Sequence, residues 1–126
     1  MPKVYVTIGP NGAGKSTWAK QQDAVYVGFD DTHSCEKAFD IINSDLTKDY
    51  IYEAVNTKAD DWFYVMIHTP CFEHVGVFFD TTPEECKRRC IEKNREDLVQ
   101  FVDRDYALIQ EAKPFQKRYF DEVIHV

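Results

Sequence analysis

Hydrophobic positions recur every second residue at the start of the chain. Val4, Val6 and Ile8 alternate with Lys3, Tyr5 and Thr7, and this β-branched, aromatic stretch predicts a buried strand. Residues 24–29 repeat the pattern and stop at Asp30 and Asp31. Val75, Gly76, Val77, Phe78 and Phe79 form an apolar run that reads as a third strand, and Glu122 to Val126 as a fourth. Between them the spacing turns helical: Leu46, Tyr50, Ile51, Ala54, Val55, Ala59, Trp62, Phe63, Met66 and Ile67 recur at steps of one, three and four. Ser44 or Asp45 would start this helix and Pro70 lies beyond its end, which predicts one long helix bent near Asn56. A strand at 62–67 is rejected, because the link from 68 to 74 is too short for a parallel crossover. Trp62 and Phe63 are therefore expected in the core. Thr82, Pro83, Glu84 and Glu85 mark another helix start, and Leu98, Phe101, Val102, Leu108 and Ile109 trace a last helix that breaks near Pro114.

The resulting order, β-loop-α-β-α-α-β-α-α-β, predicts a three-layer α/β fold. Its short parallel sheet would have four strands, or five, with right-handed crossovers and the spatial order 2-1-3-4. At 126 residues, residues 1–126 are expected to form one domain. A 44% hydrophobic and 29% charged composition fits an ordinary folded chain. The formal net charge of −7 excludes a general nucleic-acid footprint, so any polyanion must meet a local basic site. No apolar run approaches the roughly 18 residues of a spanning helix, and Met1 leads into a strand pattern rather than a cleavable signal, so the expectation is a cytoplasmic protein without a membrane partner. Cys35, Cys71, Cys86 and Cys90 include no Cys-x-x-Cys pair and are expected as reduced thiols; a metal site on Cys86 and Cys90 would need further ligands that no spacing supplies.

The chemistry starts where the first strand stops. Gly9, Pro10, Asn11, Gly12, Ala13, Gly14, Lys15 and Ser16 match G-x-x-x-x-G-K-[ST] in full, between a strand and a helix. Glycines at 9, 12 and 14 allow backbone conformations closed to other residues, so successive N–H groups turn inward around a phosphate chain. Lys15 would reach the β- and γ-phosphates and Ser16 would ligate Mg²⁺, while a helix over 15–22 points its positive end at the anion. Gly9, Asn11, Gly12, Ala13, Gly14, Lys15, Ser16 and Thr17 are thus the expected contacts of a nucleoside triphosphate, ATP with Mg²⁺.

Two further groups complete the candidate site. Asp30 and Asp31 end a strand on the edge where open α/β sheets bind ligands, and Asp30 is the preferred base for an acceptor hydroxyl; the competing role is to cap the helix that begins near residues 32–34. Lys87, Arg88, Arg89, Lys93 and Arg95 fall within nine residues of an otherwise acidic chain. Phosphoryl transfer needs cations over the β- and γ-phosphates, and this cluster is the available source, against the alternative of a solvated helix face.

The loop wording is similar to that of ABC-type ATPases, but their Leu-Ser-Gly-Gly-Gln-like signature and their apolar run ending in Asp-Glu have no counterpart here. As a whole the chain resembles the P-loop kinases, and most closely the kinase domain of phage-type polynucleotide kinases. The likeness rests on Thr7-Ile8-Gly9, on Gly14-Lys15-Ser16-Thr17-Trp18-Ala19 and on a strand ending in Asp30-Asp31. Phe78-Phe79-Asp80 followed by Pro83, Arg88, Arg89 and Asn94-Arg95 is similar to the strand and arginine-bearing lid of kinases generally, and Phe120-Asp121-Glu122-Val123-Ile124 to their last strand. The resemblance implies a kinase that moves the γ-phosphate of Mg-ATP to a polynucleotide 5′-hydroxyl. Lys15, Asp30, Arg89 and Arg95 would then be catalytic, with Asp31, His33 and Arg88 on the acceptor side. His33 stands where the family usually has arginine, and the middle of the chain is several tens of residues shorter, too short for the family's additional helix and strand together. Asp45 is a candidate replacement for the aspartate of that strand. The rival readings are a nucleoside or nucleoside monophosphate kinase, acting on a small nucleotide acceptor, and a non-catalytic nucleotide-binding module. A GTPase-type switch lacks its Asn-Lys-x-Asp motif.

Overall fold

The computed structural model describes the backbone of all 126 residues and the side chains of all but Asp30 and Asp31. β1 (Lys3–Ile8) leads through the glycine-rich loop to α1 (Lys15–Lys20), shorter than expected, and on to β2 (Val25–Gly28). A one-turn α2 (Phe29–Thr32) precedes α3 (Cys35–Asn43), and the Ser34 hydroxyl caps α3 by accepting from the Lys37 N–H at 3.4 Å. Then come β3 (Tyr50–Glu53), α4 (Ala59–His68), β4 (Glu73–Phe78) and α5 (Pro83–Glu92), which begins at a Thr82 cap with Pro83 in its first turn. A 3₁₀ turn at Glu96–Leu98 feeds α6 (Val99–Ala112), and α7 (Gln116–Tyr119) precedes β5 (Glu122–His125).

The sheet has five parallel strands in the order β2-β3-β1-β4-β5. This corrects the expected order 2-1-3-4: an additional strand stands between β1 and β2, inside what the spacing presented as one long helix. Tyr50, Ile51, Tyr52 and Glu53 are all buried, since β3 is paired on both edges and covered on both faces. A strand covered on both faces shows no polar alternation, and Tyr50, Ile51, Ala54 and Val55 then fall at spacings a helix also uses. Ser44 and Asp45 start no helix. Instead Asp45 Oδ1 accepts from the Thr47 N–H at 2.9 Å and hydroxyl at 2.5 Å, forming a turn before β3. The segment between residue 31 and α4, expected to be too short for both a helix and a strand, holds α3 and β3.

α4 carries the remainder of the apolar stripe. Trp62 is fully buried, its indole N–H donating to the Asn56 carbonyl at 2.8 Å, whereas Phe63 points outward and is 52% exposed, contrary to expectation.

Two apolar layers flank the sheet. Val4, Val6 and Ile8 of β1 pack with Phe39 and Ile42 of α3 and Trp62 and Val65 of α4 on one face. Val75 and Val77 of β4 pack with Cys86 and Cys90 of α5 and Val102 of α6 on the other, joined by Tyr5 and Trp18. Burial of each such aliphatic side chain contributes about 1.5–3 kcal/mol, so the strand residues fix the sheet and with it the loops at its carboxyl edge. There the loops after β1, β2, β3 and β4 converge, the edge where such sheets bind ligands. Among the described residues no helix is long and apolar enough to cross a membrane.

Candidate active site

The loop after β1 is shaped by its neighbours as well as by its own sequence. Gly12 and Gly14 have φ of +84° and +99°, in the left-handed region that side chains disfavour. A Cβ on Gly12 would lie 2.3 Å from the Cys86 carbonyl oxygen of α5, and one on Gly14 would lie 3.2 Å from the Arg89 guanidinium. The Gly9 N–H donates to the Val55 carbonyl at 3.2 Å, and the Thr81 hydroxyl donates to the Ala13 carbonyl at 2.9 Å. The segments after β3 and β4 thus clamp the loop from both sides.

Lys15 is 6% exposed, and its ammonium donates to the carbonyls of Gly9 and Pro10, both at 2.8 Å. Ser16 faces the strand that the spacing concealed: its hydroxyl donates to Glu53 Oε1 at 3.1 Å, and the Tyr26 hydroxyl donates to Glu53 Oε2 at 3.4 Å. Glu53 is the buried carboxylate at the carboxyl end of β3. Asp45 precedes β3 and lies at the opposite, amino end, where the Tyr50 hydroxyl donates to its carbonyl at 3.1 Å, so it does not stand in for a strand-end acid. The signal for Glu53 is the same one that picked out Asp30, an acid ending a β-rich run.

Beside the loop a cleft of about 530 Å³ is lined by Gly14, Thr17, Trp18, Phe79, Arg89 and Lys93. Trp18 meets Phe79 edge-on at 6.0 Å between ring centres and Tyr5 at 6.3 Å, so it both packs in the layer and borders the cleft. Arg89 donates to Glu85 at 3.2 Å and to the Gly12 carbonyl at 3.4 Å, which places its guanidinium at the loop. The Glu85 carboxyl is held below the usual carboxylate range by hydrogen bonds from Arg88 and then Arg89. Burial pushes the Cys86 thiol up, against the pull of Lys15 and Arg89.

The other predicted cations lie apart. Arg88 is exposed and ion-paired with Glu85 and Glu92, and Arg95 is exposed and paired with Asp97 at 3.2 Å. His33 is exposed in the left-handed conformation, φ 57°, where it closes α2. The backbone of Asp30 and Asp31 lies in α2, just past the strand end, and their side chains lie outside the described residues. β3 separates β2 from β1, so this segment and the loop share the sheet edge without being on adjacent strands. No group of three His, Cys, Asp or Glu side chains among the described residues is arranged to hold a metal ion by itself.

On the α4 and α6 side, a cleft of about 320 Å³ opens between Asn11, Val55, Asn56, Phe101, Arg104 and Asp105. Asp105, 5% exposed, accepts from the Arg104 guanidinium at 3.2 Å, and Arg104 in turn lies 5.0 Å from the centre of the Phe101 ring. A smaller recess of about 80 Å³ joins Asn11, Lys15, Phe29 and Glu53.

No family model and no curated protein sequence matches the chain. Solved structures do match its fold. A fungal RNA kinase is similar over 99% of this chain and 73% of its own, with a TM-score of 0.70 and 18% identity. A gluconokinase from Sinorhizobium meliloti covers 99% and 82%, with a TM-score of 0.62 and 12% identity. A shikimate kinase from Acinetobacter baumannii, in complex with shikimate, covers 100% and 84%, with a TM-score of 0.56 and 16% identity. With its phosphate loop, five parallel strands and flanking helices, the chain has the fold of the P-loop kinases.

Proposed function

We propose that this protein is a kinase that transfers the γ-phosphate of ATP to a hydroxyl group, with a polynucleotide 5′-hydroxyl as the acceptor. The observation that carries the reading is the clamped loop, in which glycine-only positions, buried Lys15 and the Ser16–Glu53 pair meet at the carboxyl edge of the sheet.

Loop N–H groups and Lys15 bind the phosphate chain, Lys15 exchanging the Gly9 and Pro10 carbonyls for phosphate oxygens. The donor set fits Mg²⁺, a hard cation that takes oxygen ligands: Ser16 would hold it, with Glu53 accepting the serine proton and supplying the compensating charge. When bound, the ion neutralises charge on the phosphate oxygens. Arg89, beside Gly12, stabilises the charge that develops on the transferring group. Asp30 orients the acceptor hydroxyl and takes its proton. The triphosphate's base and sugar occupy the cleft beside Trp18 and Phe79, and the acceptor approaches from the Asn11 side.

The opening motif and the likeness to an RNA kinase support the polynucleotide acceptor. A small uncharged acceptor such as a nucleoside is the second reading, favoured by the net charge of −7 and by the Asn11-side cleft, where Arg104 is already paired with Asp105 and Asp61 adds a further carboxylate.

The test is transfer of labelled γ-phosphate from Mg-ATP to a panel of 5′-hydroxyl oligonucleotides, nucleosides and nucleoside monophosphates. Label on oligonucleotides is expected. Label on small acceptors alone establishes the second reading, and ATP binding without product in any class overturns both acceptors and favours a non-catalytic nucleotide-binding module. Asp30→Asn is expected to bind ATP and lose transfer; full retained transfer removes Asp30 from the role of base.

A further inference from the structure

The strand register sets Gly28 of β2 beside Glu53 of β3, and Tyr26 lies two residues before Gly28 on the same face. A Cβ on Gly28 would lie 2.6 Å from the Tyr26 hydroxyl oxygen and 2.9 Å from two of its ring carbons. The tyrosine ring therefore lies across the space that any other residue at 28 would fill. That position carries its hydroxyl to Glu53 Oε2 at 3.4 Å, while Oε1 accepts from Ser16 at 3.1 Å. Each carboxylate oxygen is thus engaged by a hydroxyl from a different element, which fixes the rotation of the carboxylate about its last bond.

We infer that Tyr26, reaching across Gly28, is a positioning residue that orients Glu53 toward Ser16 and so sets the affinity of the site for the divalent cation that accompanies the nucleotide. The inference rests on the kinase reading above. Groups that hold a ligating side chain in place govern metal affinity although they never touch the ion, and the Tyr26 hydroxyl stands one bond behind the Ser16–Glu53 pair. Gly28 is part of the same device, since without its bare backbone the ring cannot take this path.

The test compares wild type, Tyr26→Phe, Gly28→Ala and the double variant by calorimetric titration with ATP, first in EDTA and then across a range of Mg²⁺ concentrations, with a thermal melt of each. Tyr26→Phe keeps the ring and removes only the hydroxyl. It is expected to leave the melt and the metal-free ATP affinity unchanged and to raise the Mg²⁺ concentration for half-maximal tight binding by up to about fivefold, the scale set by its hydrogen bond to Glu53. Gly28→Ala should show the same metal phenotype, and the double variant should be no worse than Tyr26→Phe. An unaltered Mg²⁺ dependence in Tyr26→Phe, in a wild type whose ATP binding does respond to Mg²⁺, overturns this inference alone. Equal loss of metal-free and metal-dependent affinity also overturns it, since that is the mark of a merely structural residue. Absence of ATP binding by the wild type under both conditions overturns the kinase reading and this inference with it.

Discussion

The carbonyl oxygen of Cys86 stands where a side chain on Gly12 would begin, 2.3 Å from the position of a Cβ. The phosphate loop therefore rests on the backbone of α5, and a change in either is felt by both. Gly12→Ala adds this clash to a left-handed conformation that costs a non-glycine residue about 1–2 kcal/mol. The expected outcome is a lower melting temperature together with loss of ATP binding, measured by a thermal melt and calorimetry. A variant that binds ATP like the wild type would show that the loop leaves this conformation when it works.

Glu53→Gln separates the charge of the carboxylate from its shape. The amide oxygen still accepts from Ser16, so the loop should stay folded and the ATP affinity in EDTA should be retained. Metal-dependent transfer is expected to fall about 10- to 100-fold, the usual effect of losing a partner behind a metal ligand. Steady-state rates across Mg²⁺ concentrations check this, and wild-type rates at all of them would take Glu53 out of the site.

Glu53 also marks where the sequence was hard to read. The glycine-rich loop was legible as a strand-to-helix turn because its motif is written in consecutive residues, and Gly12 and Gly14 do take the left-handed backbone it called for. Val4, Val6 and Ile8, and likewise Val75 and Val77, announced their strands by alternation or by a short apolar run between turn residues. β3 was hidden because burial on both faces makes Tyr50-Ile51-Tyr52 look like one side of a helix, and its terminal acid vanished with it. The Tyr26 path across Gly28 was out of reach for a different reason. It depends on the register between β2 and β3, which only the folded sheet defines.

Among the cations of α5, position on the helix separates neighbours two residues apart. Arg89 lines the cleft and donates to the Gly12 carbonyl, whereas Lys87 pairs with Asp103 of α6 at 2.7 Å. Arg89→Ala is expected to lower turnover by about 10³-fold, the scale of an arginine acting on a transferring phosphoryl group, with a much smaller change in ATP affinity. Lys87→Ala should stay within about twofold of wild type, because exposed ion pairs contribute little. Equal losses in the two variants would point to α5 folding rather than to the guanidinium.

His74 makes stability depend on pH in a definite direction. It is 4% exposed on β4, with Nε2 2.8 Å from the Thr69 hydroxyl. That hydroxyl already donates to the Val65 carbonyl at 2.7 Å, so the ring nitrogen must be the donor and Nε2 carries the proton of a neutral imidazole. Burial holds the ring below its ordinary value of 6.5, and the nearby Asp121 carboxylate only partly offsets this. Well above pH 6.5 neither the folded nor the unfolded chain protonates the ring, and His74 adds no pH dependence. As the pH falls below 6.5 the unfolded chain takes up the proton first, so acid favours unfolding until the folded-state value is passed and the effect levels off. Urea midpoints between pH 7.5 and 5 should therefore decline for the wild type. His74→Gln, whose amide still donates to Thr69, should decline less over the same window. Parallel curves for the two proteins would assign the acid sensitivity to other groups.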